Sequence, residues 1–222
     1  MDEILEIPAG ALDALAIFPL PDLVFFPGSL LPLHIFEPRY REMIGDVLAG
    51  SGLLAVVRLL PGFEPNYKGR PPVADIAGVG ACVSADRLPD GRYNLMLRGL
   101  GRVRLDEELA PDTSYRRARC RLLPDSRSSR AERLDEGQRT LIALCDRLAS
   151  VVPEGEVLRQ LARALPTPGG CADAVANALV RDPEARQTLL ELLDPADRLD
   201  QVAMVVNALV ARMDPSRGSN LN

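Results

Sequence analysis

The feature that most constrains the fold of this chain is a change in hydrophobic period near residue 124. Before that point apolar and polar residues alternate in short runs, as in RVRL (102–105) and RRARCRLL (116–123). Side chains of a strand point to opposite faces in turn, so this alternation predicts half-buried antiparallel strands. After that point apolar residues recur three and four apart, which is the spacing of one helix face. The sequence therefore predicts an α+β chain in which a sheet precedes helices.

The first part of the chain is predicted to hold seven short strands. Their ranges are 15–20, 30–36, 53–60, 77–86, 92–98, 102–108 and 116–123. Asp90-Gly91 indicates a hairpin turn, and the GLG at 99–101 indicates a bend or bulge, because glycine permits the backbone angles that both require. Short strands with tight connections favour a twisted antiparallel sheet that curls into a pseudo-barrel.

Helices are predicted in two places. One is inserted among the strands: Pro38 suits the first helical position and Gly50 suits the end. From about residue 130 the chain is predicted to be an all-helical bundle. Asp182-Pro183 and Asp194-Pro195 each place a capping carboxylate before a proline that can start a helix. Arg198 is expected on the polar side of the last helix.

The polar segment PDSRSS, residues 124–129, is the best boundary between the two patterns. We expect two domains, a β-rich one at 1–124 and a C-terminal helical one at 125–222. Four cysteines without a CxxC pair, together with a single histidine, exclude a plausible zinc set and favour reduced thiols in the cytoplasm. No metal and no cofactor are predicted.

Charge and hydropathy exclude several partners. The net charge is −5, whereas proteins that neutralise phosphates usually carry a basic excess. The first ten residues are acidic, unlike a secretory signal. The apolar run over 12–36 is interrupted by four prolines and two aspartates, which a membrane-spanning helix would tolerate poorly. We therefore expect no membrane association.

Catalytic motifs are missing from the sequence. It has no GxxxxGK[ST] phosphate loop and no GxSxG elbow. The GVG at 78–80 and the GLG at 99–101 lack the third glycine of a dinucleotide fingerprint. The one lysine, Lys68, lies in a Pro- and Gly-rich loop where nothing evident would lower its pKa. No catalytic residue is predicted.

Three segments carry a resemblance to a known family. They are IFPLPDLVFFPGSLLPLHIFEPRYREMI, GVGACVSADRLPDGRYNLMLRGLGRVRL and EARQTLLELLDPADRLDQVAMVV. Their Phe-Pro-Gly connection, Phe-Glu-Pro-Arg-Tyr helix entry, Asp-Gly hairpin and paired helices resemble the N-terminal substrate-recognition domain of ATP-dependent Lon proteases. The segments follow the family's order and span about residues 14 to 213.

The resemblance implies a PUA-like sheet followed by a helical bundle, which agrees with the two periods. It also implies a role in selecting polypeptides, so an unfolded or specific partner polypeptide is the expected ligand. We expect a free-standing, non-catalytic member of the family, since the ATPase and serine-lysine peptidase modules of the full protease have no counterpart in this sequence.

Six residues are candidates for the binding surface. They are Phe36, Glu37, Arg39, Tyr40, Phe63 and Tyr67. Phe63 and Tyr67 lie in the long loop PGFEPNYKGRPP, where aromatic side chains suit either peptide contact or cover for the sheet edge. Glu37 is expected to face the unpaired N–H groups of the inserted helix and to hold Arg39 or Arg41. Phe36 and Tyr40 are expected to pack that corner.

Two further hypotheses remain open at this level. Arginines of adjacent predicted strands could form an RNA-binding face, as some PUA-like folds do, or a solvated face. They are Arg98, Arg102, Arg104, Arg117, Arg119 and Arg121. A hydrolase using His34 is the other hypothesis. Alternation places His34 with Pro32 and Phe36, and a lone histidine there favours a structural hydrogen bond. The oligomeric state is not predicted.

Overall fold

The computed structural model describes residues 7–126, 130–152 and 155–213. They fall into two compact units, which we call the sheet unit and the helical unit. The boundary along the chain lies between Pro124 and Asp125. The elements of the sheet unit are β1 (Leu15–Leu20), β2 (Leu30–Ile35), α1 (Pro38–Ala49), β3 (Leu53–Arg58), a 3-10 turn (Glu64–Asn66), β4 (Ile76–Arg87), β5 (Tyr93–Glu108) and β6 (Arg116–Leu123). Those of the helical unit are α2 (Ala131–Val151), α3 (Gly155–Ala164), α4 (Pro168–Leu179), α5 (Pro183–Glu191) and α6 (Pro195–Met213).

The sheet closes on itself, which confirms the predicted pseudo-barrel. The strand order is β2-β5-β4-β3-β1-β6, and β5 pairs with β6 as well, so five strands form a ring. The long strand β5 makes this possible, since its first part pairs with β2 and its last part with β6. Strand β2 contains Pro32 and has β5 as its one neighbour in the described sheet.

Two details differ from the predicted strands. The pair β1 and β3 is parallel, and every other named pair is antiparallel. Periodicity reports which face a side chain takes but not the direction of the strand, and here β2 and α1 form the crossover that a parallel pair needs. The predicted strands 92–98 and 102–108 are one strand, with a bulge between Gly99 and Gly101. The predicted hairpin turn at Asp90-Gly91 joins β4 to β5.

Strands β1 and β3 are buried on both faces. Leu15, Ile17 and Ala55 lie in a cluster formed by the five ring strands, inside the barrel. The alternate residues, including Phe18 and Val56, lie in a second cluster with α1. Strands covered on both sides have continuous apolar sequences, as LAIFPL and LLAVV do. The two clusters therefore share their central strands.

Helix α1 covers one side of the barrel. It begins at Pro38 and is followed by Gly50, as predicted. Its buried residues follow the helical spacing and are Tyr40, Met43, Ile44 and Val47. They pack in the second cluster against β1 and β3. This packing fixes the position of the polar residues at the start of the helix.

The segment VFFPG after β1 lies directly on the sheet. A Cβ atom on Gly78 would stand 1.9 Å from the carbonyl oxygen of Phe25, and one on Gly99 would stand 2.2 Å from that of Phe26. The N–H of Gly28 donates to the carbonyl of Gly99 at 2.9 Å. Glycine is required where two backbones come this close. The GVG and GLG sequences are therefore packing sites for this segment.

Substituting Gly78 with alanine should destabilise the sheet unit. The new methyl group would meet backbone that cannot move aside, and overpacking of this kind costs about 3 kcal/mol. All four tyrosines lie before residue 124 and the chain has no tryptophan, so tyrosine fluorescence during urea unfolding reports on this unit.

Gly45→Ala is the matched control. Gly45 lies within α1, and the nearest atom to an added Cβ is 4.0 Å away. Alanine there should stabilise the helix by up to about 1 kcal/mol. Equal urea midpoints for Gly78→Ala and the parent protein would contradict the close approach of the Phe25 carbonyl to Gly78.

Helices α5 and α6 begin with the predicted caps. The Asp182 carboxylate accepts from the N–H of Ala185 at 2.7 Å, and that of Asp194 accepts from the N–H of Ala196 at 2.9 Å. Thr167 caps α4 in the same way, which the sequence analysis did not predict. These side chains satisfy N–H groups that have no partner within the helix.

Arg198 is buried and does not lie on a solvent-exposed polar side of the last helix, so the expectation from sequence was wrong. Its side chain is 1% exposed. It donates to both carboxylate oxygens of Asp125, at 2.8 and 2.9 Å, and to the carbonyl of Leu192 at 2.6 Å. Its Nε also lies 3.2 Å from a carboxylate oxygen of Asp173. A buried charge is tolerated when it is paired and hydrogen-bonded. Both carboxylate partners of Arg198 are distant in sequence.

Arg198→Ala should destabilise the helical unit by about 3 kcal/mol, because it takes the cation away from the buried carboxylate of Asp173 as well as from the more exposed carboxylate of Asp125. Circular dichroism at 222 nm during urea unfolding measures this change. Tyrosine fluorescence of the sheet unit should keep its midpoint.

Arg133→Ala is the control for that substitution. Arg133 also contacts two carboxylates, those of Asp197 and Asp200, but its side chain is 49% exposed. An exposed pair contributes less than about 1 kcal/mol. An equal loss of unfolding free energy in the two variants would show that the burial of Arg198 adds nothing to its contribution to stability.

Candidate functional site

Four of the six candidate residues meet where β2 leads into α1. We call Glu37, Arg39, Tyr40 and Tyr67 the Arg39 cluster. Arg39 Nε donates to Glu37 Oε2 at 3.1 Å, and the Tyr67 hydroxyl donates to Glu37 Oε1 at 3.2 Å. The guanidinium carbon of Arg39 lies 4.5 Å from the ring centroid of Tyr40 and 5.3 Å from that of Tyr67. Glu37 thus positions both the cation and one aromatic ring.

The Arg39 cluster keeps its tyrosines protonated. Burial raises the pKa of Tyr40 to about 12, although the Arg39 charge opposes the shift. Burial also raises the pKa of Tyr67, and the Glu37 carboxylate adds to the effect. An ionised phenol is disfavoured by a dry site and by a nearby carboxylate. Both hydroxyls are therefore hydrogen-bond donors at neutral pH, and neither is a base.

Glu37 does not cap the helix, which corrects the expectation from sequence. Its side chain makes no hydrogen bond to the N–H groups of α1, since both carboxylate oxygens are used by Arg39 and Tyr67. Arg41 is also not its partner. The Arg41 guanidinium lies against Gly91 in the β4–β5 hairpin. The carboxylate thus joins the helix start to a loop rather than satisfying the helix itself.

The two remaining candidates are placed differently. Phe36 is 62% exposed and does not pack the corner; its ring lies beside His34, with centroids 6.4 Å apart. Phe63 lies next to the Arg39 cluster, with its ring centroid 6.1 Å from that of Tyr67. Both Phe63 and Tyr67 belong to residues 61–72, which we call the aromatic loop. The structure therefore groups five candidates and leaves Phe36 on the outer face of β2.

A pocket of about 280 Å³ adjoins the Arg39 cluster. Helix α1, the aromatic loop and residues 111–116 all contribute to its wall, and we call it the basic pocket. The cations that line it are Arg39, Lys68, Arg70 and Arg116. Tyrosine and proline side chains form much of the remaining wall, and no lining residue is acidic. The arrangement suits an anionic group attached to an apolar body.

Sequence analysis missed the segment that closes this pocket. The Tyr115 hydroxyl donates to Asp46 at 2.8 Å, and burial raises the pKa of Tyr115 to about 12. The Ser114 hydroxyl donates to Glu42 at 2.7 Å. These bonds join the connection between β5 and β6 to α1. An irregular connection has no periodicity, so the sequence carried no signal for it.

His34 has the structural role that its position predicted. Nδ1 lies 2.7 Å from the amide oxygen of Asn94, and Nε2 lies 3.3 Å from Arg92 Nη1. A catalytic base would need a nucleophile within such reach. Burial raises the pKa of Cys120 and of Cys145 to about 12, so these thiols stay protonated. No group of metal-ligating side chains occurs in the part of the chain that the structure describes.

The arginines proposed for RNA do not form one open basic face. Three of the six pair with carboxylates and a fourth is buried. The pairs are Arg117–Asp112, Arg119–Glu107 and Arg121–Asp106, and the buried residue is Arg102. Phosphate groups would compete with these carboxylates for the same cations.

Residues 14–208 match the family model of the ATP-dependent protease La (LON) substrate-binding domain. The chain belongs to the LON substrate-binding domain family. Curated relatives include the Lon protease of Desulfosudis oleivorans, 25% identical over 88% of this chain and 24% of that protein. The Lon protease of Paraburkholderia phytofirmans is 28% identical over 92% of this chain and 25% of its own length. This LON family chain spans about a quarter of these relatives.

Two solved structures share the fold of this LON family chain. One is a Lon N-terminal domain protein from Xanthomonas campestris, with a TM-score of 0.63 and 24% identity over 86% of this chain and 97% of that one. The other is the N-terminal domain of the Mycobacterium avium complex Lon protease, with a TM-score of 0.66 and 18% identity over 87% and 98%. In the described ranges, no helix combines the length and apolar character needed to cross a membrane.

Replacing Glu37 with glutamine should lower the pKa of Tyr67. The substitution removes the negative charge that disfavours the phenolate, while the amide oxygen can still accept from the hydroxyl. Nuclear magnetic resonance of ring-labelled tyrosine during an alkaline titration measures the shift. Because the pKa of Tyr67 is higher in the folded protein, its contribution to stability is fully present below about pH 10, the pKa in the unfolded chain. That contribution is lost as the pH rises further, so the free energy of unfolding of the parent protein should fall there.

Glu64→Gln is the control for that titration. Glu64 lies in the aromatic loop three residues before Tyr67 but is not among the groups that shift its pKa. The Tyr67 titration should therefore be unchanged. A pKa shift of equal size in both variants would mean that loss of any nearby negative charge, rather than of the Glu37 carboxylate in particular, controls Tyr67.

Proposed function

We propose that this LON family chain is a non-catalytic module that binds unfolded or partner polypeptides in the cytoplasm. The observation that carries the proposal is the aromatic loop, in which Tyr67 is held by Glu37 next to Phe63. Aromatic side chains that are already fixed lose little conformational entropy on contact with a peptide. The four unpaired cysteines agree with a reducing compartment.

The family description gives independent support, since it names a substrate-binding domain. The relatives are named Lon proteases, and this chain matches about a quarter of each. Selection of polypeptides for such a protease is the role we propose for it. The sequence of the chain has no ATP phosphate loop, so ATP hydrolysis is not part of the proposal.

The proposed binding surface comprises the Arg39 cluster and Phe63, with Phe36 as a separate candidate. Phe36 adds an exposed ring on the outer face of β2. Its ring lies beside His34 rather than beside the rings of the cluster, so the two parts can be tested separately. RNA binding is the weaker candidate, because arginines proposed to contact RNA already pair with carboxylates of the protein.

Binding of a reduced and alkylated model protein, which stays unfolded, tests the proposal. Fluorescence anisotropy of the labelled model protein should show saturable binding to the parent. The double substitution Phe63→Ala plus Tyr67→Ala should weaken that binding about tenfold or more, since buried aromatic contacts each contribute about 1–2 kcal/mol at interfaces.

Val157→Ala plus Met204→Ala is the matched control. Both residues are exposed apolar side chains of the helical unit, so the control removes similar surface elsewhere. Binding should keep the parent affinity. Phe36→Ala alone decides whether the outer face of β2 takes part. Unchanged binding after Phe63→Ala plus Tyr67→Ala would remove the aromatic loop from the proposal.

A further inference from the structure

The basic pocket has more positive charge than its own carboxylates balance. Four cations line it, and the carboxylates that contact them are Glu37 and Glu108. Glu108 is shared by Arg116 and Arg70. The pocket thus has an excess of two positive charges in a chain whose net charge is −5. A local excess against the overall sign marks a site for an anion.

The four cations differ in how far they are already engaged. Arg116 is satisfied, since Nε donates to Glu108 at 2.6 Å and Nη1 to the carbonyl of Pro71 at 2.8 Å. Arg70 donates to the carbonyl of Leu109 at 3.1 Å. Lys68 is exposed and has no hydrogen bond or ion pair within the described residues. The ammonium of Lys68 is therefore available to a ligand.

Arg39 provides a second cation that is not fully engaged. Its Nε is paired with Glu37, but its Nη2 is buried and has no acceptor among the described groups. A buried donor without an acceptor destabilises the protein, and a bound anion relieves that cost. Arg39 is also fixed by the rings of Tyr40 and Tyr67, so little entropy is lost when it binds.

We propose that the basic pocket binds a carboxylate of the polypeptide, between Lys68 and Arg39. This inference rests on the proposed function and names the group that the site recognises. A guanidinium N–H forms a charge-assisted hydrogen bond to a carboxylate oxygen, and the tyrosine and proline walls accept the apolar part of the same residue. The carboxylate comes from the chain end or from an aspartate or glutamate side chain, which are chemically alike here.

The size of the pocket and the charge of the chain favour a carboxylate over a nucleic acid. A volume of about 280 Å³ accepts one residue rather than a length of backbone. Nucleic acids bind along extended basic grooves, and a chain of net charge −5 repels a polyanion outside the pocket.

Three short fluorescent peptides of one neutral sequence test the proposal by anisotropy. The first has a free C-terminal carboxylate, the second is amidated, and the third is amidated with one internal aspartate. At least one carboxylate peptide should bind about tenfold tighter than the amidated peptide, a preference that added salt reduces. The peptide with the increased affinity identifies the source of the carboxylate. Increased affinity of both peptides supports recognition of either source.

Lys68→Gln should remove most of that preference, so that its affinities for the carboxylate peptides approach its affinity for the amidated peptide. Arg121→Gln is the control, since Arg121 is an exposed arginine outside the pocket, and it should keep the preference. Equal affinity for all three peptides would overturn the carboxylate proposal, whereas binding of the unfolded model protein would still support the proposed function. Single-stranded RNA that binds tighter than every peptide and is lost in Lys68→Gln would also overturn it.

Discussion

The fold of the sheet unit depends on one close approach between backbones. The VFFPG segment lies on the sheet with carbonyl groups of Phe25 and Phe26 where side chains of Gly78 and Gly99 would otherwise stand. This contact fixes where β2 begins, and β2 leads without a gap into Glu37 and α1. The position of the Arg39 cluster is therefore set by Gly78 and Gly99, which follow Arg39 by 39 and 60 residues.

Sequence reasoning succeeded where a pattern is local. Alternation placed the strands, and Glu37-Pro38 with Gly50 placed α1, because strand faces and helix ends are determined by residues close in sequence. It missed the parallel pairing of β1 with β3, since direction is a property of the crossover. It also divided one strand into two at the GLG sequence, where the structure has a single bulged strand.

Polar residues were harder to predict than apolar ones. Arg198 was expected in solvent because its charge disfavours burial, yet Asp125 and Asp173 come from distant positions to balance it. Glu37 was expected to cap its helix, yet Tyr67 arrives from thirty residues away and takes one carboxylate oxygen. In both cases a long-range partner replaced the local one, and the candidate site is built from such partners.

In both the Arg39 cluster and the basic pocket, one carboxylate contacts two donor side chains. Glu37 uses both oxygens within the cluster, so it orders Arg39 and the aromatic loop without neutralising Lys68. Glu108 does the same for Arg116 and Arg70 at the other side of the pocket. Each carboxylate organises more than one donor. The surplus of positive charge arises because Arg116 and Arg70 share Glu108 and because Lys68 has no carboxylate partner among the described residues.

Strand β2 has a consequence for behaviour at high concentration. A strand with one neighbour offers its other edge to any extended chain, including a second copy of itself, and such edges promote aggregation. Pro32 interrupts this one, because proline supplies no N–H for a continuous ladder. The proposed contact with polypeptides is thereby left to side chains rather than to added strands.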